Sequence, residues 1–220
     1  MSAVGALLAS RVSVSVMAAL TPNPSIQRTH SLDVGRAPNR KVMFRSVLQF
    51  WFHEIAPAQW WKVDPEFDRM IAERFGEIHS QATRAELFEW RIEPKGRLAE
   101  VIVLDQFSRN MFRGDRRAFE ADVVALALAQ EAVSASADTA LTQEERVFLY
   151  MPYMHSESRK IHEVAERLFL EHTPKGNYEF ELRHKAIIDR FGRYPHRNAI
   201  LGRESTPDEL AFLATPGSRF

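Results

Sequence analysis

At 220 residues the chain has the length of one domain, or of one domain and a tail, with enough sequence to bury a core. Its 29 basic and 29 acidic residues cancel, so no global field draws it to nucleic acid or to an anionic membrane. The absence of cysteine excludes disulfides, thiolate nucleophiles and Cys-ligated zinc and fits a reducing compartment, and no run approaches the roughly 18 apolar residues of a membrane helix.

Residues 1–40 stand apart from the rest. Up to Leu32 there is no acid, only Arg11 and Arg28 among Ser, Ala and Val, punctuated by Pro22, Pro24 and, further on, Pro38. "VSVSVMAAL" has the look of a weak signal h-region but lacks a positive cluster ahead of it, and Met17 and Met43 offer downstream starts. The segment reads as an extension, disordered or preceding the true start, ahead of one helical domain over 41–220. The expected protein is cytoplasmic, with no membrane or nucleic-acid partner.

From Val42 onward the periodicity is helical. Asp64 is placed to cap a helix that has Pro65 at its first position, and Phe67, Met70, Ile71, Phe75 and Ile78 share its buried face. "EPKG" reads as the close of a short helix carrying Phe88 and Trp90. Helices follow over Arg97–Asn110 and Arg117–Ser134. Thr142 and Glu145 form a capping box before "RVFLYM". Pro152 reads as the entry to a long helix reaching His172, and Tyr178–Phe191 as the next, with Gly192 at its C-cap. Thr206-Pro207 opens a last helix. No segment alternates long enough to argue for a strand, so the expected fold is all-α: eight or nine short helices packed as hairpins, without a clean internal period.

Polar residues interrupt the apolar stripes at three places. In "RLAEVIVLDQFSRNMFRG" the stripe Leu98, Val101, Ile102 continues into Asp105 and Arg109, with Gln106 and Asn110 repeating the four-residue spacing on a neighbouring face. In "YMPYMHSESRKIHEVAERLFL" the stripe Val164, Ile161 runs back to Glu157 and Met154, with His155 in the same turn. In "YEFELRHKAIIDRF" His184 shares a stripe with Phe180, Ile187 and Phe191. Each has an ordinary structural reading: a buried ion pair, a first-turn acid, a hydrogen-bonded core histidine. An unpaired buried charge costs several kcal/mol, however, so three inward polar groups are expected to meet in one pocket.

A fourth feature is "DRFGRYPHRNAILGREST". Between Arg190 and Arg203 it gathers four arginines and a histidine with no acid. Gly192 allows a reversal and Pro195 stiffens it, biasing Tyr194 to an extended conformation. Arg193, His196, Arg197, Asn198 and Arg203 are thereby presented together. Arginine forks suit a carboxylate or phosphate, and they equally suit the inward acids Asp105 and Glu157.

"FWF" (Phe50–Phe52), "LAEVIVLDQFSRNMFRG", "PYMHSE" and "FGRYPHRNAILGREST" resemble the bacterial family catalogued as domain of unknown function 924, over about Val47 to Leu213. The resemblance implies an all-helical fold similar to tetratricopeptide-repeat proteins. It implies no activity, substrate or cofactor.

The residues themselves suggest a pocket for a small anion, with His184 or His155 as proton carrier, Asp105 or Glu157 orienting it, and Gln106, Arg109, Asn110, Arg193, His196, Arg197, Asn198 and Arg203 around the ligand. If there is chemistry, hydrolysis fits these groups. The alternative is a helical adaptor that grips a peptide by its C-terminal carboxylate, with Trp51, Trp60 and Trp61 along its groove. No cofactor is expected, nor a metal, since His155, Glu157, His184 and Asp105 follow no known ligand spacing.

Overall fold

The chain enters the described region, residues 40–218 of the computed structural model, through α1 (Arg40–Gln49), which runs straight into a π-helical turn (Phe50–Glu54). The 1–40 extension lies outside the described residues, save that Arg40 opens α1. A 3₁₀ turn (Pro57–Trp61) leads to α2 (Pro65–Thr83), where the Asp64 side chain accepts from the backbone of Glu66 and Phe67 and Pro65 occupies the first turn. A second 3₁₀ turn (Phe88–Ile92) is followed by α3 (Pro94–Ile102), a π-helical turn (Val103–Phe107) and α4 (Ser108–Met111), which together make one continuous helix. The single turn α5 (Arg117–Glu120), α6 (Asp122–Ser134), a 3₁₀ turn (Ala137–Ala140), α7 (Gln143–Met154), α8 (Arg159–His172), α9 (Lys175–Phe191), a last 3₁₀ turn (Pro195–Arg197) and α10 (Pro207–Leu213) complete the described residues, which contain no strand. The fold is all-α, and eight of these helices are seven residues or longer.

The helix from Pro94 to Met111 is the axis of the domain. It is buried almost all round, its polar members Glu100, Asp105, Gln106, Ser108 and Asn110 included, and it packs against α1, α2, α6 and α7. Phe107, on its π turn, meets Phe75 at 4.9 Å and Trp51 at 5.6 Å between ring centroids, and Phe50 and Phe148 close the same aromatic cluster.

Several boundaries differ from the sequence reading. Pro94 opens a helix instead of closing one, because its missing N–H costs nothing in a first turn. The preceding 3₁₀ turn is pressed so closely on α3 that a Cβ at Gly96 would fall on the Trp90 carbonyl oxygen and within 2.8 Å of its carbonyl carbon. Gly96→Ala is therefore expected to destabilise the fold by about 1–3 kcal/mol through backbone displacement, read by urea unfolding; an unchanged midpoint would show that the turn can move aside.

The helix expected over Arg117–Ser134 breaks at Ala121. Pro152 lies inside α7, not ahead of a new helix, since burial of Tyr150, Met151, Tyr153 and Met154 holds the last turn together despite the lost hydrogen bond. Glu157 consequently sits in the connection before α8 and not on a helical stripe. Met70 and Phe180, both expected on buried faces, are 39% and 51% exposed. The capping box at Thr142, the helix start at Thr206-Pro207, where Glu209 completes a second capping box, and the C-cap at Gly192 (φ 71°) stand as read.

Candidate functional site

Asp105 occupies the π turn of the central helix and is completely buried. π turns of this kind concentrate at functional sites. The Asp105 carbonyl accepts both from the Ser108 backbone and from Arg109 Nη1 (3.0 Å). Its carboxylate accepts from His155 Nδ1 (2.8 Å) and from Gln106 Nε2 (2.6 Å) and forms an ion pair with Arg109, whose Nη1 lies 2.9 Å away. Burial alone would raise the Asp105 pKa, but the Arg109 charge, His155 and these hydrogen bonds outweigh it and hold the group well below the usual carboxylate range.

His155 caps the C-terminal end of α7, where the helix stops after Met154. Burial, reinforced by the Arg109 charge, pushes its pKa down, so the ring is neutral. An ionised carboxylate only accepts, hence the His155 proton is on Nδ1 and Nε2 carries the lone pair. No described residue bonds Nε2, and the ring lines a cleft of about 290 Å³.

Two arginines flank this dyad and share one counter-ion. Arg109 makes a two-pronged pair with Asp122, the first residue of α6, at 3.0 and 3.1 Å. Arg197, from the 3₁₀ turn after α9, reaches the same carboxylate with Nη1 at 3.3 Å. That is one bond for a group with five N–H donors. Nε of Arg197 is buried without a partner, and the guanidinium lies over the rings of Tyr194 (4.5 Å) and Phe119 (4.7 Å). Only 6% of the residue is exposed, and burial followed by repulsion from Arg109 lowers its pKa. Arg197 nonetheless lines the cleft, beside Asp122, His155 and Glu157.

The other arginines of the basic corner are committed elsewhere. Arg203 grips Glu157 at 2.6 and 2.9 Å and also donates to Asn198 Oδ1. Arg193 grips Glu209 of α10 at 2.6 and 2.8 Å, and Arg190 reaches Asp208. Asn198 donates to Ser205 and Glu209. Glu157 also accepts from the Tyr194 backbone, and Arg203 with that bond overcomes its burial to keep the pKa low. The corner is thus largely a set of ties between the segment after α9 and the rest of the domain.

Structure divides the expected site residues accordingly. Asp105, Gln106, Arg109, His155 and Arg197 converge, and Glu157 stands at the cleft edge, already engaged by Arg203. His184 is next door, its ring 6.5 Å from that of His155, with Nδ1 donating to the Phe180 carbonyl and burial lowering its pKa to about 3. His196 packs 5.5 Å from Tyr194, its pKa lowered to about 4 by burial and by Arg197. Asn110 lies apart, donating to Asp68, and Arg193, Asn198 and Arg203 sit in the ties just described.

Sequence reasoning missed Asp122, Phe119 and the wholly buried His162–Glu181 pair (2.7 Å). Asp122 carried a faint signal, an acid immediately before the apolar run "VVALALA". Among the described residues no group of three or more His, Cys, Asp or Glu is placed to hold a metal ion.

The family model described as "Bacterial protein of unknown function (DUF924)" matches residues 47–217. The chain belongs to this family. Every residue of the candidate site falls within the matched span. The chain is also similar to a solved structure, that of the protein of unknown function ATU0120 from Agrobacterium tumefaciens, at 34% identity and a TM-score of 0.77, covering 80% of this chain and 99% of that one. No curated protein matches the chain.

Proposed function

We propose that this DUF924 protein binds a small anion, a carboxylate or phosphate, in the cleft beside Arg197, and that the Asp105–His155 dyad acts on it as an acid/base pair. One observation carries the reading: a neutral histidine, oriented through Nδ1 by a buried ionised aspartate and with Nε2 unbonded among the described residues, lines a cleft that also holds an under-bonded arginine. Such a histidine takes a proton from water at Nε2, Asp105 stabilises the imidazolium that forms, and Arg197 holds the anionic group in place. Hydrolysis is the reaction class these parts fit. His155 takes the role of proton carrier over His184, whose ring is no part of the cleft lining.

The alternative, an adaptor that grips a peptide by its C-terminal carboxylate, would need exposed aromatics along a groove. Trp51 is buried and Trp60 half-buried, its indole N–H donating to the Trp51 carbonyl, and of the three tryptophans Trp61 alone is exposed, at 59%, which favours the small ligand.

The test is a thermal-shift panel of acetate, larger carboxylates, inorganic phosphate and phosphate esters on the full chain and on Arg197→Gln. A probe at about 100 times its dissociation constant adds about 2.7 kcal/mol, which raises the melting temperature of a domain this size by roughly 5–10 °C. The shift is expected in the parent and absent from the variant. A parent that responds to no probe, or a variant that responds equally, overturns the reading.

A further inference from the structure

The cleft has a second, apolar half that the dyad and the arginine do not explain. Its wall runs along Phe119 of α5 and Val123 and Leu126 of α6, faced by Pro152 from α7 and Leu201 from the segment after the last 3₁₀ turn. Val123 and Leu126, three residues apart on α6, share one side of that helix, and Phe119 lines the same cleft from α5. Val123 is 78% exposed, and Leu126 and Leu201 are half-buried, so this wall faces open space within reach of Arg197. Ligand sites are commonly built this way, a few oriented polar groups against a mainly apolar lining.

Charge counting limits the head group. The charged residues that line the cleft are Arg116, Glu120, Asp122, Glu157 and Arg197, and their paired partners bring in Arg109, Arg203 and Asp105. Four cations thereby meet four carboxylates. With His155 neutral the cleft has no net charge, and with His155 protonated it carries one positive charge. Against that single excess charge a monoanion is neutralised, whereas a dianion leaves one negative charge uncompensated.

We infer that the ligand is a monoanionic carboxylate bearing an apolar arm, its head group on Arg197 and His155 and its arm along Phe119, Val123 and Leu126. This rests on the anion-binding reading above and deepens it. A cleft of about 290 Å³ has room for about ten water-sized groups, which suits a short aliphatic or single-ring acid.

Ligand-observed NMR titrations of the full chain with acetate, butyrate, hexanoate and inorganic phosphate test it, with Val123→Asn and Arg197→Gln in parallel. Val123 is exposed, so its substitution leaves the core intact. The dissociation constant is expected to fall about three- to fourfold per added methylene until the arm outgrows the cleft, with phosphate binding no tighter than acetate. Val123→Asn should flatten the series while leaving acetate within twofold, and Arg197→Gln should abolish it. Equal constants for acetate and hexanoate, or phosphate tighter than hexanoate, overturn the inference and leave the anion reading standing. If no probe binds the parent, both fall.

Discussion

Asp122→Asn is expected to lower the unfolding free energy by about 3 kcal/mol, with a fall of roughly 10 °C in melting temperature. Asparagine keeps the shape, so the loss is one of charge. Asp122 is the counter-ion that Arg109 and Arg197 share. Arg109 would keep Asp105, but Arg197 would lose its counter-ion while remaining buried beside a second guanidinium. The magnitude sits at the low end for breaking a buried pair, because Asp122 lines the cleft and water there screens part of the charge. A double-mutant cycle with Arg197→Gln isolates the shared part: if Arg197 carries the strain, removing it as well should restore a good fraction of the stability. A loss under about 1 kcal/mol for Asp122→Asn would mean that both arginines are effectively hydrated.

The second large effect is a loss of stability in mild acid. His184 and His196 have pKa values lowered to about 3 and about 4, chiefly by burial. In the unfolded chain they titrate near 6.5. Above that pH both states are neutral. Below it the unfolded chain takes up protons that the folded chain refuses, so stability declines as pH falls from about 6.5 towards 4. At pH 5 the loss is about 2 kcal/mol for His184 and somewhat less for the half-buried His196. His155, also lowered, acts in the same sense. Asp105 and Glu157 have lowered values as well, and their stabilising contributions are lost only when pH drops below the ordinary carboxylate range and on through their folded values. Urea unfolding at pH 7.5 and pH 5.0 measures the difference. A flat profile would show that these rings gain protons without leaving their places.

The residues that could be read from sequence were those whose meaning is local. Asp105 and Arg109 stood out because charge interrupts a stripe directly after four consecutive apolar residues, and burial of the Asp105 carboxylate follows from that pattern. Asp64 and Gly192, and Thr142 and Thr206, were legible because caps are decided within four residues. Pro152 misled for the complementary reason: local chemistry says helix start, and tertiary burial of the turn around it says otherwise. The basic corner was visible as a cluster, but which of its arginines remains under-bonded depends on remote acids. Arg203 finds Glu157 46 residues away, and Arg197 finds Asp122 75 residues away. No local pattern encodes such pairings, and Asp122, the residue that joins the two arginines at the site, was missed on that account.

The 75-residue separation between Asp122 and Arg197 also sets an order of events in time. A ribosome adding about 5–20 residues per second makes Asp122 some 4–15 s before Arg197. In that interval Arg109, only 13 residues from Asp122, can already be paired with it, and His155 can join Asp105 while Arg197 has yet to be made. The proton-transfer half is therefore available before the anion-holding half, and the cleft becomes whole only when the last quarter of the chain folds back onto what preceded it.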